Sequence, residues 1–483
     1  MHKKALRIWF SHCSLFVVIP LIAWSETHVG GPEEGEWWPS GNPYVADSSI
    51  IILPSTSLLI MPGVELRFSN PDSIKVYGTL IAQGDKNDSI FFVNSVGVAP
   101  IWRGVWFLSG CTDCLLEYVS VSQPKWGVRS EHSQPTIRYS TILAQSIAIG
   151  GYYSDFNLIN STIAADAHEA DVIYLYHSNA TIYGCKIFSS GDQGAQNMVG
   201  IRIIQSEPSI RYSSVDVVAS GLACGIWAEE SSKASIFYNL IISHSTNLAF
   251  GSFMILSSPD FVNNTVVVAA DLTTPAKCLY LLQDSDPLVE NCILYGDGSS
   301  QGVVAQVSCD PEIRYSDVFN HLENAVGCSA SVGAISQDPL FENSAAKDYH
   351  LTRPSPCINA GDPSSPLDPD SSRADMGCYY FDFTVPVELP EQQTLPSQYV
   401  LLQVFPNPFN AQSQIVINLP SEQFGHLALY NQQGGLIQRI KSGMFVAGES
   451  IVRLDASKLS TGTYWIVLKT SLGTQTHQIC LLK

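Results

Sequence analysis

Charged residues are scarce in this chain of 483 residues, and basic residues are the scarcer sign. Charged side chains make up 14% of the sequence, with 25 Lys and Arg against 44 Asp and Glu. Such an acidic surface repels nucleic acid and anionic lipid, which excludes DNA and RNA as partners. The hydrophobic content of 45% argues against disorder and predicts a sizeable buried core.

Long apolar runs are missing after the first 25 residues, so no transmembrane segment is expected in the mature chain. The beginning differs: Lys3, Lys4 and Arg7 precede an apolar run over residues 8–24, with small residues near its end. This pattern predicts a secretory signal peptide over residues 1–25 that is removed before folding. An uncleaved membrane anchor is the alternative interpretation.

Several catalytic and metal-binding motifs are also absent. The sequence contains no G-x-S-x-G, no P-loop and no dinucleotide fingerprint. Cys111 and Cys114 form a C-x-x-C, but no second ligand pair at zinc spacing accompanies it. The motif lies in a turn rather than at a helix start, which favours a local disulfide or two buried small side chains over redox chemistry. Without Cys13, eleven cysteines remain, so at least one is left unpaired or pairs between molecules.

What the sequence does contain is a repeat. A six-residue pattern, apolar-x-x-(polar or small)-x-apolar, recurs nine times at intervals of 21 to 28 residues. Each pattern holds two short β-type runs with a bend at the polar position, and Gly-containing apolar runs between patterns supply a further strand. The patterns begin at Leu116, Ile137, Leu158, Ile182, Ile210, Ile236, Phe261, Leu288 and Ile313.

A unit of this length cannot bury its own core, but stacked units bury a continuous one. The period and the abundance of Val, Ile, Thr and Tyr exclude helical repeats. The sequence therefore predicts an all-β protein built as a right-handed parallel β-helix. In such a solenoid Ile137, Leu158, Ile182 and Ile210 should form a single inward row.

Both ends of the repeat region resemble the ends of bacterial secreted right-handed β-helix proteins. The resemblance rests on residues 28–93, including LLIMPGVELRF, and on residues 338–380, including DYHLTRPSPCINAGDP. It implies a capped β-helix over residues 26–381. Because open solenoid ends expose strand edges, Trp37-Trp38-Pro39 is expected to form the first lid and residues 354–375 the second.

The pattern changes after a proline-containing stretch over residues 382–398, which is interpreted as a linker. From residue 399 to 483, short alternating runs are punctuated by glycine turns. Regular short strands of this kind predict a small Ig-like β-sandwich. The predicted strands cover residues 415–419, 427–430, 435–441, 450–454, 464–470 and 477–482.

This C-terminal region resembles the sorting domain of the type IX secretion system of Bacteroidetes-like bacteria. The matching pieces are FPNPFN from Phe405, LDASKL from Leu454, STGTYWIV from Ser460 and the terminal LLK. The resemblance implies the type IX secretion machinery as a partner and a final location outside the cell or on its surface. Cys480 departs from the family's pattern.

One polar cluster is a candidate for chemistry. Asp166, His168, Glu169 and Asp171 could bind a metal or provide an acid/base pair, as β-helix enzymes that act on polysaccharides require. The cluster lies where one coil lengthens, so a solvated loop is the alternative. The recurring arginines Arg138, Arg211 and Arg314 are several coils apart and are interpreted as part of the solenoid surface.

A second set of carboxylates suggests a cation site. Asp368, Asp370 and Asp375 are spaced somewhat like a calcium-binding loop, although the Gly and terminal Glu of an EF-hand are missing. Ca²⁺ is therefore the one metal that the sequence suggests, and no other cofactor is implied.

Three functions are compatible with these features. The first is a non-catalytic protein whose β-helix flank binds glycans or another surface partner. The second is a polysaccharide lyase or glycoside hydrolase with a groove around residues 166–171 and 191–200. The third is a structural component of a surface layer.

Overall fold

A computed structural model describes most of the chain after residue 25. The chain divides into two compact units, Met1–Thr384 and Val385–Lys483, and each is considered by itself. The predicted signal peptide and all but the first two residues of the predicted linker lie outside the described residues. Described are residues 26–95, 101–189, 196–271, 274–383, 401–405, 409–410, 412–419, 423–431, 435–446, 448–457, 459–470 and 473–481.

The first unit is a parallel β-solenoid of three strand ladders, as predicted. Ladder 1 comprises Gly35–Trp37, Ser57–Ile60, Thr79–Gln83, Leu115–Glu117, Thr136–Arg138, Asn157–Ile159, Thr181–Tyr183, Ser209–Arg211, Ser235–Phe237, Asp260–Val262, Leu288–Glu290 and Glu312–Arg314. Ladder 2 comprises Glu65–Phe68, Ile90–Asn94, Val119–Ser122, Thr141–Ala144, Thr162–Ala165, Lys186–Ser189, Ser214–Ala219, Leu240–Ser245, Thr265–Ala270, Ile293–Tyr295 and Asp317–Phe319.

Ladder 3 holds the Gly-containing runs that were predicted as the further strand. It comprises Ser73–Val76, Gly104–Phe107, Val128–Glu131, Ile149–Tyr152, Glu169–Tyr176, Asn197–Ile204, Leu222–Glu229, Leu248–Ile255, Lys277–Leu282, Gln301–Ala305 and Glu323–Val326. The strands Thr27–Pro32 and Tyr44–Ile52 begin the solenoid, and Tyr44–Ile52 pairs with the first strands of both ladder 2 and ladder 3.

The predicted inward row exists. Ile137 pairs with Leu158, Leu158 with Ile182, and Ile182 with Ile210, and all four side chains are buried. The last apolar position of the pattern forms a second inward row on ladder 2, for example Ile142 beside Ile163. A single apolar core therefore runs through the stacked coils.

One repeat was assigned one residue too early. The sequence pattern was placed at Leu288, but Phe261 pairs with Val289, and Val266 pairs with Leu294. Val289 and Leu294 are fully buried, whereas Leu288 is not. The run LVENCIL has apolar residues at both candidate registers, and only packing against the neighbouring coils distinguishes them.

The bend inside each pattern depends on two adjacent positions. The third residue takes the left-handed conformation, with φ of 51° at Tyr139 and Tyr212 and 52° at Asn263. The fourth, predicted as the bend itself, points inward and accepts an N–H from the preceding coil. Ser140 Oγ accepts from Val119 N at 3.1 Å, and Asn239 Oδ1 accepts from Ser213 N at 2.9 Å.

A column of serines inside the solenoid lies at the corner between ladders 3 and 1 and was not predicted. The backbone N–H of Ser154, Ser178, Ser206 and Ser232 each donates to the hydroxyl of the corresponding serine one coil later, at 2.8 to 3.3 Å. These serines are buried. The hydroxyls satisfy amides that would otherwise be buried without a partner.

The two segments predicted as lids lie in different parts of the solenoid. Trp37 lies in the first strand of ladder 1 and stacks on Tyr44 at 4.7 Å, while Trp38 is half exposed. The C-terminal segment, residues 338–383, packs along the outer side of ladder 2, with the short strands Phe341–Asn343 and Asp348–Leu351. This segment therefore covers a flank of the solenoid.

The second unit consists of antiparallel sheets, as predicted. One sheet contains Leu401–Phe405, Gln412–Leu419 and Gly448–Asp455; the other contains Gln423–Tyr430, Leu436–Phe445, Gly462–Thr470 and Gly473–Leu481. Their buried side chains, among them Ile415 and Ile466, form one core. The strand Leu401–Phe405 was missed by the sequence analysis. The side chain of Cys480 lies outside the described residues.

Candidate functional site

The outer face of ladder 3 carries a row of aromatic and basic side chains, here called the aromatic row. Strand register places these residues side by side in successive coils, with Tyr152 adjoining the row. Five of the eight neighbouring pairs make ring–ring or cation–ring contacts. Gly150 contributes no side chain, and Tyr152 contacts Arg129 and Tyr174 on either side of it. The row consists of Lys75, Trp106, Arg129, Gly150, Tyr174, Arg202, Trp227, Phe253 and Tyr280.

The middle of the row lies on the four longest strands of ladder 3, each of eight residues. A glycine recurs in three of them, at Gly200, Gly225 and Gly251. A Cβ at Gly225 would lie 2.4 Å from Ile241 Cγ2 and 2.7 Å from Gly251 O, so no side chain fits there. Val199, Cys224 and Phe250, each directly before one of these glycines, form a buried apolar cluster against which Trp227, Phe253 and Tyr280 of the row pack.

An ion-pair network crosses the row. Arg202 Nε donates to both carboxylate oxygens of Asp171 at 3.0 Å, and Arg202 Nη1 lies 3.4 Å from Glu229 Oε1. The other oxygen of Glu229 accepts from Trp227 Nε1 at 3.3 Å. Burial raises the pKa of Asp171, although Arg202 opposes the shift. All four carboxylate oxygens therefore have protein donors.

Towards the N-terminal end of the row lies a cleft of about 420 Å³, here called the tryptophan cleft. The Arg129 guanidinium carbon lies 5.8 Å from the Trp106 ring centre, 5.3 Å from that of Trp126 and 4.6 Å from that of Tyr152. A volume of this size is in the range of small-ligand pockets. The lining residues are Pro71, Ile101, Arg103, Trp106, Lys125, Trp126 and Arg129.

Stacked turns build the cleft. Arg103 N donates to Asp72 O, and Lys125 N donates to Trp102 O, both at 2.7 Å. Gly104 has φ of 100°, and a Cβ there would lie 1.8 Å from Trp126 O, so only glycine permits these turns to approach so closely.

Neither the row nor the cleft was found from the sequence, although a signal was present. The runs RGVW from Arg103 and WGVR from Trp126 exchange arginine and tryptophan between equivalent positions. Aligning them places Trp106 beside Arg129, as the strand register does. GIRI from Gly200 and GIWA from Gly225 likewise place Arg202 beside Trp227.

The predicted polar cluster is only partly gathered by the fold. Asp171 joins the Arg202 network, and Glu169, two residues earlier in the same strand, accepts from Asn197 Nδ2 at 2.9 Å. Asp166 and His168 precede this strand and are exposed. Residues 191–195 of the predicted groove lie outside the described part.

The calcium candidates lie in the C-terminal segment, where backbone amides occupy their carboxylates. Asp375 accepts from Asn359 N and Phe381 N at 2.6 Å, and Asp368 accepts from Asp375 N at 2.9 Å. Asp370 accepts from Ser372 N at 2.9 Å. In the described residues no group of three or more His, Cys, Asp or Glu side chains is arranged to hold a metal ion. The calcium hypothesis stays a prediction.

The recurring arginines belong to the surface of ladder 1. Arg138 pairs with Glu117 at 2.8 Å, and Arg314 pairs with Glu290 at 2.5 Å. The sequence analysis missed the second pair because it placed the pattern at Leu288, one residue too early. Arg211 instead lies 4.6 Å from the Phe237 ring centre.

A larger cleft, of about 780 Å³, lies beside the disulfide that joins Cys111 to Cys114. The disulfide was one of the two predicted alternatives for the C-x-x-C. Asp113, His132 and Asp155 are among the lining residues of this cleft. It gathers acidic and imidazole side chains, in contrast to the tryptophan cleft.

Comparison with known proteins identifies the second unit. Residues 403–481 match the secretion system C-terminal sorting domain. No curated protein matches the chain. None of the described residues forms a helix long and apolar enough to cross a membrane. The molecule is an exported β-helix protein. More particularly, it carries a type IX secretion sorting domain, which indicates an extracellular or cell-surface location.

Proposed function

We propose that this exported protein is a non-catalytic binding protein whose β-helix flank holds polysaccharide along the aromatic row. The observation that carries the proposal is the tryptophan cleft, where Trp106 and Trp126 line one concavity on the same face as Tyr174, Trp227 and Phe253. Aromatic rings offer large contact areas at low conformational entropy, which suits the weakly polar faces of sugar rings.

The carboxylates on the row support binding rather than catalysis. A glycosidase needs two carboxyl groups, one free to donate a proton and the other free to attack or to activate water. On the row, Asp171 and Glu229 are both held by Arg202, and Glu131 is held by Arg129 at 3.0 Å. These carboxylates orient the arginines that stack on the rings.

Alanine variants of the tryptophans test the proposal. Purified mature protein would be assayed for binding to a panel of soluble polysaccharides by affinity electrophoresis and calorimetry. Trp106→Ala and Trp227→Ala should each lower affinity about tenfold or more, because buried aromatic anchors dominate such interfaces. Trp38→Ala is the matched control, since Trp38 is 51% exposed and lies in the first coil away from the row.

If no polysaccharide binds, or if all three variants bind as the parent does, the proposal is wrong. Circular dichroism of each variant would establish that the β-helix is intact.

A carbohydrate-active enzyme is the second candidate, favoured by the larger cleft with Asp113, His132 and Asp155. An activity screen on acidic and neutral polysaccharides would decide between the two. Turnover that is lost in Asp155→Asn, or in Asp166→Ala or His168→Ala, would replace binding by catalysis. The same screen without turnover, together with measurable binding, would retain the first proposal.

A further inference from the structure

We infer that the tryptophan cleft selects polysaccharides whose sugar units carry an anionic group, a carboxylate or a sulfate. The inference rests on the proposed function, since it assigns the ligand class of the same site. It adds a specific role for the cations around the two tryptophans. Nothing in the aromatic row beyond the cleft requires a charged ligand.

The cations of the cleft are largely uncompensated. Arg103 and Lys125 are exposed at its wall, and neither has an ion-pair partner among the described residues. Lys75 follows the same face, with Nζ 5.9 Å from the Trp106 ring centre. The carboxylate of Asp72, next to the cleft, accepts a hydrogen bond from Ser49 Oγ at 3.0 Å.

Arg129 provides a second, independent observation. Nη2 donates to Glu131 at 3.0 Å, but Nε is buried and has no hydrogen-bond partner among the described residues. A buried N–H without a partner is costly and uncommon in native proteins. Arg129 lines the cleft between the indoles, so an anion bound in the cleft would lie against the accessible edge of a guanidinium whose one ion-pair partner among the described residues is Glu131.

The charge of the tryptophan cleft is opposite in sign to the net charge of the whole chain. The formal net charge is −19, yet the lining residues of the tryptophan cleft, within the described part of the chain, include three cations and no carboxylate. A long, densely charged polyanion would be repelled by the acidic rest of the surface. Salt screening limits the electrostatic attraction of the cleft's cations to a range of about 8–10 Å at physiological ionic strength. These conditions favour a sugar chain with one anionic group at the cleft over nucleic acid or an anionic membrane.

The test removes two charges and keeps the rings. The mature full-length protein and its Arg103→Gln/Lys125→Gln variant would be titrated with partly methyl-esterified polygalacturonate as the carboxylated probe and a sparsely sulfated carrageenan as the sulfated probe. Single-stranded DNA would serve as a further polyanion. The matched control is Lys86→Gln/Lys233→Gln, which removes the same charge at exposed lysines elsewhere.

We expect the cleft variant to lose about tenfold or more in affinity for one of the two anionic glycans at low salt, and the control to stay within about twofold. Added salt should weaken the parent more than the variant. The probe that responds distinguishes carboxylate from sulfate.

Two outcomes would overturn the inference. In the first, the cleft variant binds both anionic glycans as the parent does. If Trp106→Ala still loses binding in that case, the proposed polysaccharide function stands and only the anionic assignment falls. In the second, single-stranded DNA binds as tightly as either glycan and responds to the same substitutions.

Discussion

The outer sides of ladder 2 and ladder 3 are both formed by short parallel strands, but they differ in the side chains that pack on them. On ladder 2, Leu240, Ile242 and Val267 are covered by Tyr349 and Cys378 of the C-terminal segment. On ladder 3, the ring and ion contacts of the aromatic row join residues of that ladder and its turns. An apolar flank that the chain covers itself contributes stability, whereas a flank furnished with rings and paired charges is suited to recognition.

The largest difference is expected when the cover on ladder 2 is weakened. Leu351 is buried against Ile293, Cys357 and Met376, so Leu351→Ala should lower the free energy of unfolding by about 3 kcal/mol. Leu322→Ala is the control, since Leu322 is 70% exposed and its truncation should change stability little. Urea unfolding of the two variants measures the contrast, and equal midpoints would show that the segment is not a stabilising cover.

A pH-dependent effect of about 3 kcal/mol is expected at Asp317, beneath the same segment. Burial raises the pKa of Asp317 to about 6 from 3.8, so the folded protein holds this proton more tightly than the unfolded chain. Its contribution is therefore most favourable below pH 3.8 and is lost as the pH rises through 6. Asp317→Asn should be more stable than the parent at pH 8 and equal to it near pH 3.5.

The contacts of Asp317 explain why asparagine is the suitable replacement. Asp317 Oδ1 accepts from Gln337 N at 3.1 Å, a bond that an amide oxygen retains. Urea unfolding across this pH range gives the measurement, with Asp260→Asn as the exposed control. A gain at pH 8 that persists unchanged at pH 3.5 would contradict the ionisation argument.

The smallest stability effect is expected on ladder 3. Phe253 is partly buried between Trp227 and Tyr280, so Phe253→Ala should lower the free energy of unfolding by about 1 kcal/mol. For this variant, the loss of binding free energy for polysaccharide should exceed the loss of free energy of unfolding. A loss as large as that of Leu351→Ala would mean that the two flanks differ less than their contacts indicate.

The architecture could be predicted because it is a property of spacing. Alternating apolar residues at a recurring interval determine which side chains face inward, and the rows through Ile137 and Ile142 follow directly. Where apolar residues flank both registers, as at Leu288 and Val289, spacing alone gave the wrong answer. The sorting domain was recognised from motifs, and its first strand, Leu401–Phe405, was missed.

The aromatic row could not be predicted in the same way, because its members come from different coils and belong to several residue types in no fixed order. Arg129 lies beside Trp106 only when two coils are aligned in register, and the six-residue pattern defines the register of ladder 1 rather than that of ladder 3. Of the predicted cluster, Asp171 alone enters the row's ion-pair network, because Asp166 and His168 precede the strand that carries it.

The buried serines give the solenoid a direction. Each hydroxyl serves the coil before it, so Ser206 completes the amide of Ser178 and in turn depends on Ser232. Removing coils from the C-terminal end would leave a buried N–H donor without its acceptor at the new boundary. Removing coils from the N-terminal end would leave hydroxyls that still donate within their own coil, as Ser206 Oγ does to Ile204 O. In a chain that emerges N-terminus first, the buried serine amide of each coil would therefore gain its acceptor only when the next coil has formed.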